Sequence, residues 1–464
     1  MRKQIKDRTD WYRSLLSIGL LGMFLFNNTS LSHAQTYPPS CVVTMPYSNS
    51  YFKAGTDVVI HVYSTDLGKT TNNGKVKKVE FYKDNILLKK ATKHSDYTYT
   101  YVWKNVPAGT YTIKAKATND KGTSFTSTGV IITVGTKEVT PKGMSAGKGK
   151  YLANIRQLSE SVNYDQYWNG VTSENACKWG SIEATRGVYK WENADLAYNY
   201  AKERNMMFRY HAAIWASQYP TWLLSLSTEE AKAAVVKHLT IIAARFPLAD
   251  QIDVLNEQLY SHQRDNQKFR ELLGGPGTKA NDYSWQIWLF GQARAIFPNT
   301  KLVLNDYGLE GDPKAIKDQL ELFKVLRDRG LVDGFGTQAH CFNVDKPSAD
   351  TIKASLNLMA TSGLPIFVTE LDMNGGINGR ESNDSAQLAS YQKAFPVFWE
   401  HPAVAGITLW GYIAGTTWIS GTGIVSKAGV ENPSMNWLKS YIEKRPDVGY
   451  PMGGTGTTNS GKKK

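Results

Sequence analysis

The chain has 464 residues, too many for one small domain, and at roughly 100–200 residues per domain two or three are expected. A formal charge of +13 suggests a nucleic-acid or anionic partner, but the surplus is unevenly placed. Residues 1–34 carry +3, residues 35–134 carry +7, residues 135–150 carry +3 and the last three lysines +3; residues 151–461 are left at −3, which argues against nucleic-acid binding.

Residues 1–34 read as a secretory signal peptide. Arg2, Lys3, Lys6, Arg8 and Arg13 form a basic start, and residues 14–26 are an apolar run too short to span a bilayer comfortably. Ser32-His33-Ala34 then fits a small-x-small cleavage site. The expected mature protein is secreted, has no membrane span and is a monomer. Cys41, Cys177 and Cys341 lie far apart without metal-ligand spacing, so a disulfide framework is excluded and a single bridge is left unassigned.

Residues 35–135 read as an all-β sandwich. Strands are predicted over 58–62, 76–82, 97–103, 111–117 and 129–134, separated by turn signals such as Asn72-Asn73-Gly74, Pro107-Ala108-Gly109 and Asn119-Asp120-Lys121-Gly122. Tyr97, Tyr99 and Tyr101 alternate and so share one sheet face. A core face is the expected reading, and a polysaccharide-binding strip is the other. The run from Lys78 to Tyr82, then Trp103 to Tyr111, then Ala115 to Gly122 resembles the bacterial immunoglobulin-like modules attached to secreted polysaccharide enzymes. Residues 136–150, rich in Gly, Lys and Thr, read as a linker, and residues 447–464 as a disordered tail.

Residues 151–446 alternate strand and helix. Strands are predicted over 151–155, 170–172, 206–211, 251–255, 301–305, 334–338, 366–369 and 406–410. Helical patterns fall at 228–245, 285–295, 313–329, 349–362 and 385–399. Eight such units with near-continuously apolar strands predict an α/β fold, a (β/α)8 TIM barrel, behind the N-terminal immunoglobulin-like sandwich. No Gly-rich phosphate loop follows the first strand.

Polar and aromatic residues recur where these strands end, on the face where barrel enzymes carry their chemistry. The second strand leads to Glu174, Asn175 and Lys178; the third to His211, Trp215 and Gln218; the fourth to Asn256 and Glu257. The fifth gives Asn305, Asp306 and Tyr307, the sixth Gln338 and His340, the seventh Glu370 and Asp372, and the eighth Trp410 with Trp418 beyond. Two strand-end glutamates are the minimum equipment for glycosidic cleavage.

The stretches Val171 to Trp179, Asp253-Val254-Leu255-Asn256-Glu257, Gln338-Ala339-His340, Thr369-Glu370-Leu371-Asp372 and Trp410-Gly411 resemble glycoside hydrolase family 10, the endo-β-1,4-xylanases, in order and spacing. The resemblance implies a retaining mechanism with Glu257 as acid/base and Glu370 as nucleophile. It places Asn256, Gln338 and His340 at the cleavage site, and Glu174, Asn175, Lys178, His211 and Gln218 on neighbouring sugars. Trp215, Trp410 and Trp418 would wall the cleft. Asp306 and Tyr307 are expected to be supports, and Asp372 to orient a His or Arg. The partner implied is xylan or xylo-oligosaccharide. No metal or organic cofactor is implied, because two carboxylates suffice. The chain departs from the family at Ala216 (usually His), Ala414 (usually Asp) and Gln258 (usually Ala). Action on β-glucan or decorated xylan, and a weakly catalytic barrel that binds polysaccharide, stay open at this stage.

Overall fold

The computed structural model describes residues 38–48, 50–66, 75–91, 97–136, 142–156, 162–259, 262, 265–376 and 383–446. The expected signal peptide and tail lie outside the described residues.

The N-terminal part is a sandwich of nine strands: β1 (Val42–Met45), β2 (Ser50–Lys53), β3 (Val58–Tyr63), β4 (Val76–Lys83), β5 (Ile86–Ala91), β6 (Thr98–Trp103), β7 (Gly109–Asn119), β8 (Ser124–Thr126) and β9 (Val130–Gly135). One sheet runs β1-β3-β6; the other runs β2-β9-β7-β4-β5, with β8 also paired to β7. Alternate residues of the two sheets, among them Val58, Ile60, Val62, Val79, Phe81, Ile113, Ala115 and Ile132, close the core between them. Four strands were not anticipated. β1, β2 and β8 have only 4, 4 and 3 residues, too few for alternation to register. β5 is largely exposed, so it lacks an apolar face. Its signal was the turn: Asp84 and Asn85 are both left-handed (φ 47° and 67°), as a two-residue type I′ hairpin requires. Of the three alternating tyrosines, Tyr99 is buried and Tyr101 packs against the core. Tyr97 departs from them: it precedes the strand, with φ 63°, and is 46 % exposed.

Of the segment expected to be a linker, residues 142–150 are held to the barrel. Gly143 N donates to Asp165 O and Met144 N to Tyr167 O, each over 3.0 Å. Lys148 Nζ donates to Arg445 O at 2.8 Å, and Lys150 Nζ to Trp399 O and His401 O at 2.6 and 2.8 Å. Composition signalled flexibility, but these lysines satisfy backbone carbonyls at the C-terminal ends of helices distant in sequence.

The barrel comprises β10 (Tyr151–Ile155), β11 (Gly170–Thr172), β12 (Met207–Tyr210), β13 (Ile214–Trp215), β14 (Gln251–Asn256), β15 (Lys301–Asp306), β16 (Gly334–Thr337), β17 (Ile366–Leu371) and β18 (Val404–Leu409). Every pairing is parallel; β10 joins β18, and β12 joins β14, closing the ring of eight. The ninth strand, β13, is a two-residue spur on the upper end of β14. The helices begin where capping chemistry allows. Ser227 and Glu230 form a capping box before Thr228–Arg245, and Asp312 with Pro313 opens Pro313–Asp328. Helices Glu192–Glu203, Asn266–Gly274 and Pro433–Glu443 were not anticipated; the last carried a readable signal in Asn432, whose side chain accepts from Met435 N. The three cysteines are free and buried.

Inward-facing residues stack in layers along the barrel axis. Tyr151, Ala153, Met207, Val303 and Phe367 form an apolar floor. Glycines make room for its rings: a side-chain carbon on Gly406 would fall 2.2 Å from the Tyr151 ring, and one on Gly334 2.2 Å from Phe367. Two residues further along their strands, Arg209, Asn305 and Thr369 succeed Met207, Val303 and Phe367, so the interior changes from apolar to polar one layer above the floor.

Candidate active site

The polar layer is built on a fully buried ion pair. Arg209 Nε donates to Asp253 Oδ1 and Oδ2 at 3.2 and 3.0 Å, and its Nη2 donates to Oδ2 at 2.7 Å. Arg209 Nη1 donates to Thr369 O at 2.7 Å, tying β12 across the barrel to β17. His211 Nδ1 lies 2.7 Å from the same Asp253 Oδ2. Neither Arg209 nor Asp253, the latter named only within a matching stretch, has a role assigned from the sequence. The signal was there: a charged residue inside each of two apolar strands, opposite in sign.

Above this layer stand the two glutamates. Glu370 Oε1 accepts from Asn305 Nδ2 at 2.8 Å and lies 3.7 Å from Arg209 Nη2; its Oε2 is 3.3 Å from His340 Nε2. Burial opposes its charge, but the His211 and His340 imidazoles and the Arg209 guanidinium hold it down at about 2. Burial pushes His211 itself down, so Arg209 and His340 supply the positive charge at neutral pH. His340 is an imidazolium between two acids: its Nδ1 is 2.9 Å from Asp372 Oδ2. Burial works against that charge, yet Asp372 and Glu370 raise His340 to about 10. Asp372 thus orients a histidine, as expected, and also accepts from Trp418 Nε1 at 2.9 Å and Cys341 N at 2.7 Å.

Glu257 follows β14 in a left-handed conformation (φ 54°). Glu257 N donates to Asn305 O, and Asn266 Nδ2 donates to Glu257 O, each at 2.8 Å. Its carboxylate accepts from Trp215 Nε1 at 3.0 Å on one oxygen, and from Gln338 Nε2 at 2.9 Å and Asn256 Nδ2 at 3.3 Å on the other. Burial nevertheless dominates. It raises Glu257 to about 7, with the charges of Glu370 and Asp306 adding to the rise while Gln338 and Trp215 oppose it. Two buried carboxyls above one polar layer are therefore driven in opposite directions, one to a permanent anion and one to a group that holds its proton near neutrality.

Amides connect them. Asn305 Nδ2 donates both to Glu370 Oε1 and to Asn256 Oδ1, each at 2.8 Å, which turns the Asn256 nitrogen toward Glu257. Thr369 Oγ1 donates to Asn305 Oδ1 at 2.6 Å and fixes that amide's orientation. Asn305 was noted as a strand-end residue but given no role; its reach across the barrel depends on a strand order that linear spacing does not reveal.

The remaining expected residues surround this centre at different depths. Trp410 is buried with its ring edge-on to His211, centroids 5.2 Å apart, while Trp418 is 50 % exposed beside His340 at 4.7 Å. Lys178 Nζ sits 4.6 Å over the Trp215 ring and donates to Asn175 Oδ1 at 2.8 Å. Burial lowers the Lys178 pKa against the pull of Glu370, Glu174 and Glu257. Glu174 is half-buried, Asn175 exposed, and Gln218 exposed with its carbonyl accepting from Gly180 N. Asp306 is a support, as anticipated: it accepts from His262 Nδ1 at 2.5 Å and from Leu259 N and Tyr307 N at 3.0 Å. Of the departures, Ala216 is buried, Ala414 is exposed, and Gln258 Nε2 donates to Gln319 Oε1 at 2.6 Å. Among the described residues no group of three or more His, Cys, Asp or Glu is placed to hold a metal ion, and no helix is long and apolar enough to cross a membrane.

Residues 137–444 match glycosyl hydrolase family 10, and residues 39–115 match a bacterial Ig domain. The chain is 35% identical over 300 residues to endo-1,4-beta-xylanase B of Cellvibrio japonicus, covering 64% of this chain and 46% of that protein. It is 30% identical over 276 residues to an exoglucanase of Acetivibrio thermocellus, covering 55% of this chain and 24% of that one. The chain thus spans less than half the length of either relative. Among solved structures, an intracellular xylanase from Thermoanaerobacterium saccharolyticum aligns with a TM-score of 0.56 at 26% identity, covering 66% of this chain and 99% of that one.

Proposed function

The chain belongs to glycosyl hydrolase family 10, and on that premise we propose that it is a secreted, monomeric endo-acting hydrolase that cleaves internal β-1,4-xylosidic bonds of xylan with retention. The observation that carries the reading is the opposed ionisation of two glutamates held by one amide network: Glu370 at about 2 and Glu257 at about 7. The name of the xylanase relative from Cellvibrio japonicus supports xylan as the substrate.

In the first step Glu370 attacks the anomeric carbon while Glu257 gives its proton to the departing glycosidic oxygen. The C–O bond to the leaving sugar breaks and a glycosyl ester forms on Glu370. Esterification removes the Glu370 charge, one of the causes that raises Glu257, so the now-ionised Glu257 is favoured as a base. In the second step Glu257 takes a proton from water, the oxygen of that water attacks the anomeric carbon, and Glu370 leaves as a carboxylate. Asn256 lies beside the reacting centre with its amide nitrogen turned toward Glu257, where it can reach a sugar hydroxyl. Trp418, half exposed beside His340, offers ring surface for the pyranose.

The test is reducing-sugar release from xylan and from mixed-linkage β-glucan by the purified protein, with Glu370→Gln as control. Release from xylan that disappears in the variant is the expected result. Release from β-glucan alone would replace the substrate while leaving the chemistry, a reading favoured by the exoglucanase relative. Inactivity of the folded protein on both would overturn the reading in favour of a binding barrel. Export is tested by the N-terminal sequence of the mature protein, expected to start after Ala34, and monomer state by light scattering.

A further inference from the structure

The sandwich meets the barrel at the end opposite the glutamates. Tyr47, in the loop between β1 and β2, packs on the apolar floor, its ring edge-on to Tyr151 at 6.1 Å, and Tyr151 in turn stacks on Phe367 at 6.2 Å. Tyr63, the last residue of β3, is buried in the barrel's core cluster rather than in the sandwich's own. Tyr51 N donates to Asn205 Oδ1 at 2.8 Å, and Asn205 Nδ2 donates back to Tyr51 O at 3.4 Å, just before β12. At Gly330, which is left-handed (φ 68°), an added side-chain carbon would fall 2.7 Å from the Phe125 ring of β8. Likewise a side chain on Gly129 of the sandwich would meet Asn299 Oδ1 at 2.7 Å.

Domains joined by small polar contacts move relative to one another by default, and large apolar contacts prevent it. Here aromatic rings from three separate sandwich segments, Tyr47, Tyr63 and Phe125, pack on the barrel. We propose that the sandwich is the fixed floor of the barrel, a surface that fits this barrel's N-terminal end and folds with it as one cooperative unit, not a mobile polysaccharide-binding module. The end of the sandwich that carries Tyr47, Tyr51 and Tyr63 is then already occupied.

Calorimetry and tryptophan emission of the full chain test this without relying on the substrate. Eleven of the thirteen tryptophans fall in residues 151–446, so emission reports the barrel. One transition is expected, coincident by both methods. Tyr47→Ala should lower the emission midpoint by several degrees, and Tyr47→Phe, which keeps the ring, should restore most of it. Asn205→Gly keeps the left-handed backbone (φ 56°) while removing the contact to Tyr51, and should also lower the midpoint; it carries the test if Tyr47→Ala does not fold. Two separate transitions, with the emission midpoint unmoved by either substitution, would overturn the proposal.

Discussion

The Asn305 amide nitrogen reaches Glu370 Oε1 over 2.8 Å from a strand that is not its neighbour. β15 carries Asn305, β17 carries Glu370, and β16 runs between them. The path is open because β16 presents Gly336 there: an added side-chain carbon would lie 2.6 Å from Asn305 Oδ1. Gly336→Ala should therefore displace the amide, and it also presses on Asn305 Cα and Val303 Cγ1, each 3.0 Å away. Losing one hydrogen bond to a charged group, about 1.5–3 kcal/mol, predicts a fall in kcat of roughly 10- to 150-fold. Steady-state kinetics on an aryl xyloside, with circular dichroism to verify the fold, decide it. An unchanged kcat would show that Asn305 does not hold the nucleophile.

The two pKa values predict a pH profile. Activity needs Glu370 ionised and Glu257 protonated, so kcat/KM should fall on the alkaline side near Glu257's value of about 7, while the acid limb follows Glu370 at about 2. Trp215 donates to the charged form of Glu257. Trp215→Phe removes that donor and should move the alkaline limb upward by about 1 pH unit. A limb that moves downward would contradict the role of this hydrogen bond.

Glu257 also taxes stability. An acid whose folded pKa lies above its unfolded value of 4.5 destabilises the fold as pH rises from that value through about 7. The effect is absent below pH 4.5 and reaches about 3 kcal/mol above pH 7. Glu257→Gln should therefore be inactive on xylan yet more resistant to guanidinium than the parent at pH 8, with the difference gone at pH 4. Equal midpoints at both pH values would mean that Glu257 is not raised.

His340 stays cationic because Asp372 faces it at 2.9 Å. Asp372→Asn should lower the His340 pKa, weaken its hold on Glu370, and let the Glu370 pKa rise. The acid limb of kcat/KM then moves to higher pH and kcat falls, whereas a merely structural loss would lower kcat without moving the limb. The same substitution leaves one acceptor oxygen for three donors, Cys341 N, His340 Nδ1 and Trp418 Nε1, so Trp418 is held less firmly and KM for longer oligosaccharides should rise.

Local pattern carries what the sequence alone determined. The eight barrel strands, five of the helices and both strand-end glutamates were readable because alternation, capping residues and an apolar run ending in an acid are properties of a few consecutive residues. Asp312-Pro313 marks a helix start in any context, and so does Ser227 with Glu230. Tertiary structure decided what those groups became. Arg209 and Asp253 are 44 residues apart and pair only because β12 and β14 close the barrel. Asn305 meets Glu370 only because Gly336 stands between them. Glu257 and Glu370 are the same residue type at the same kind of position, so nothing local separates their acidities. Burial raises the first and a cationic neighbourhood lowers the second, and both depend on which side chains the closed barrel brings within a few ångströms. Residues 142–150 make the same point in reverse: their composition reads as linker, and only the barrel surface they contact makes them part of a packed structure.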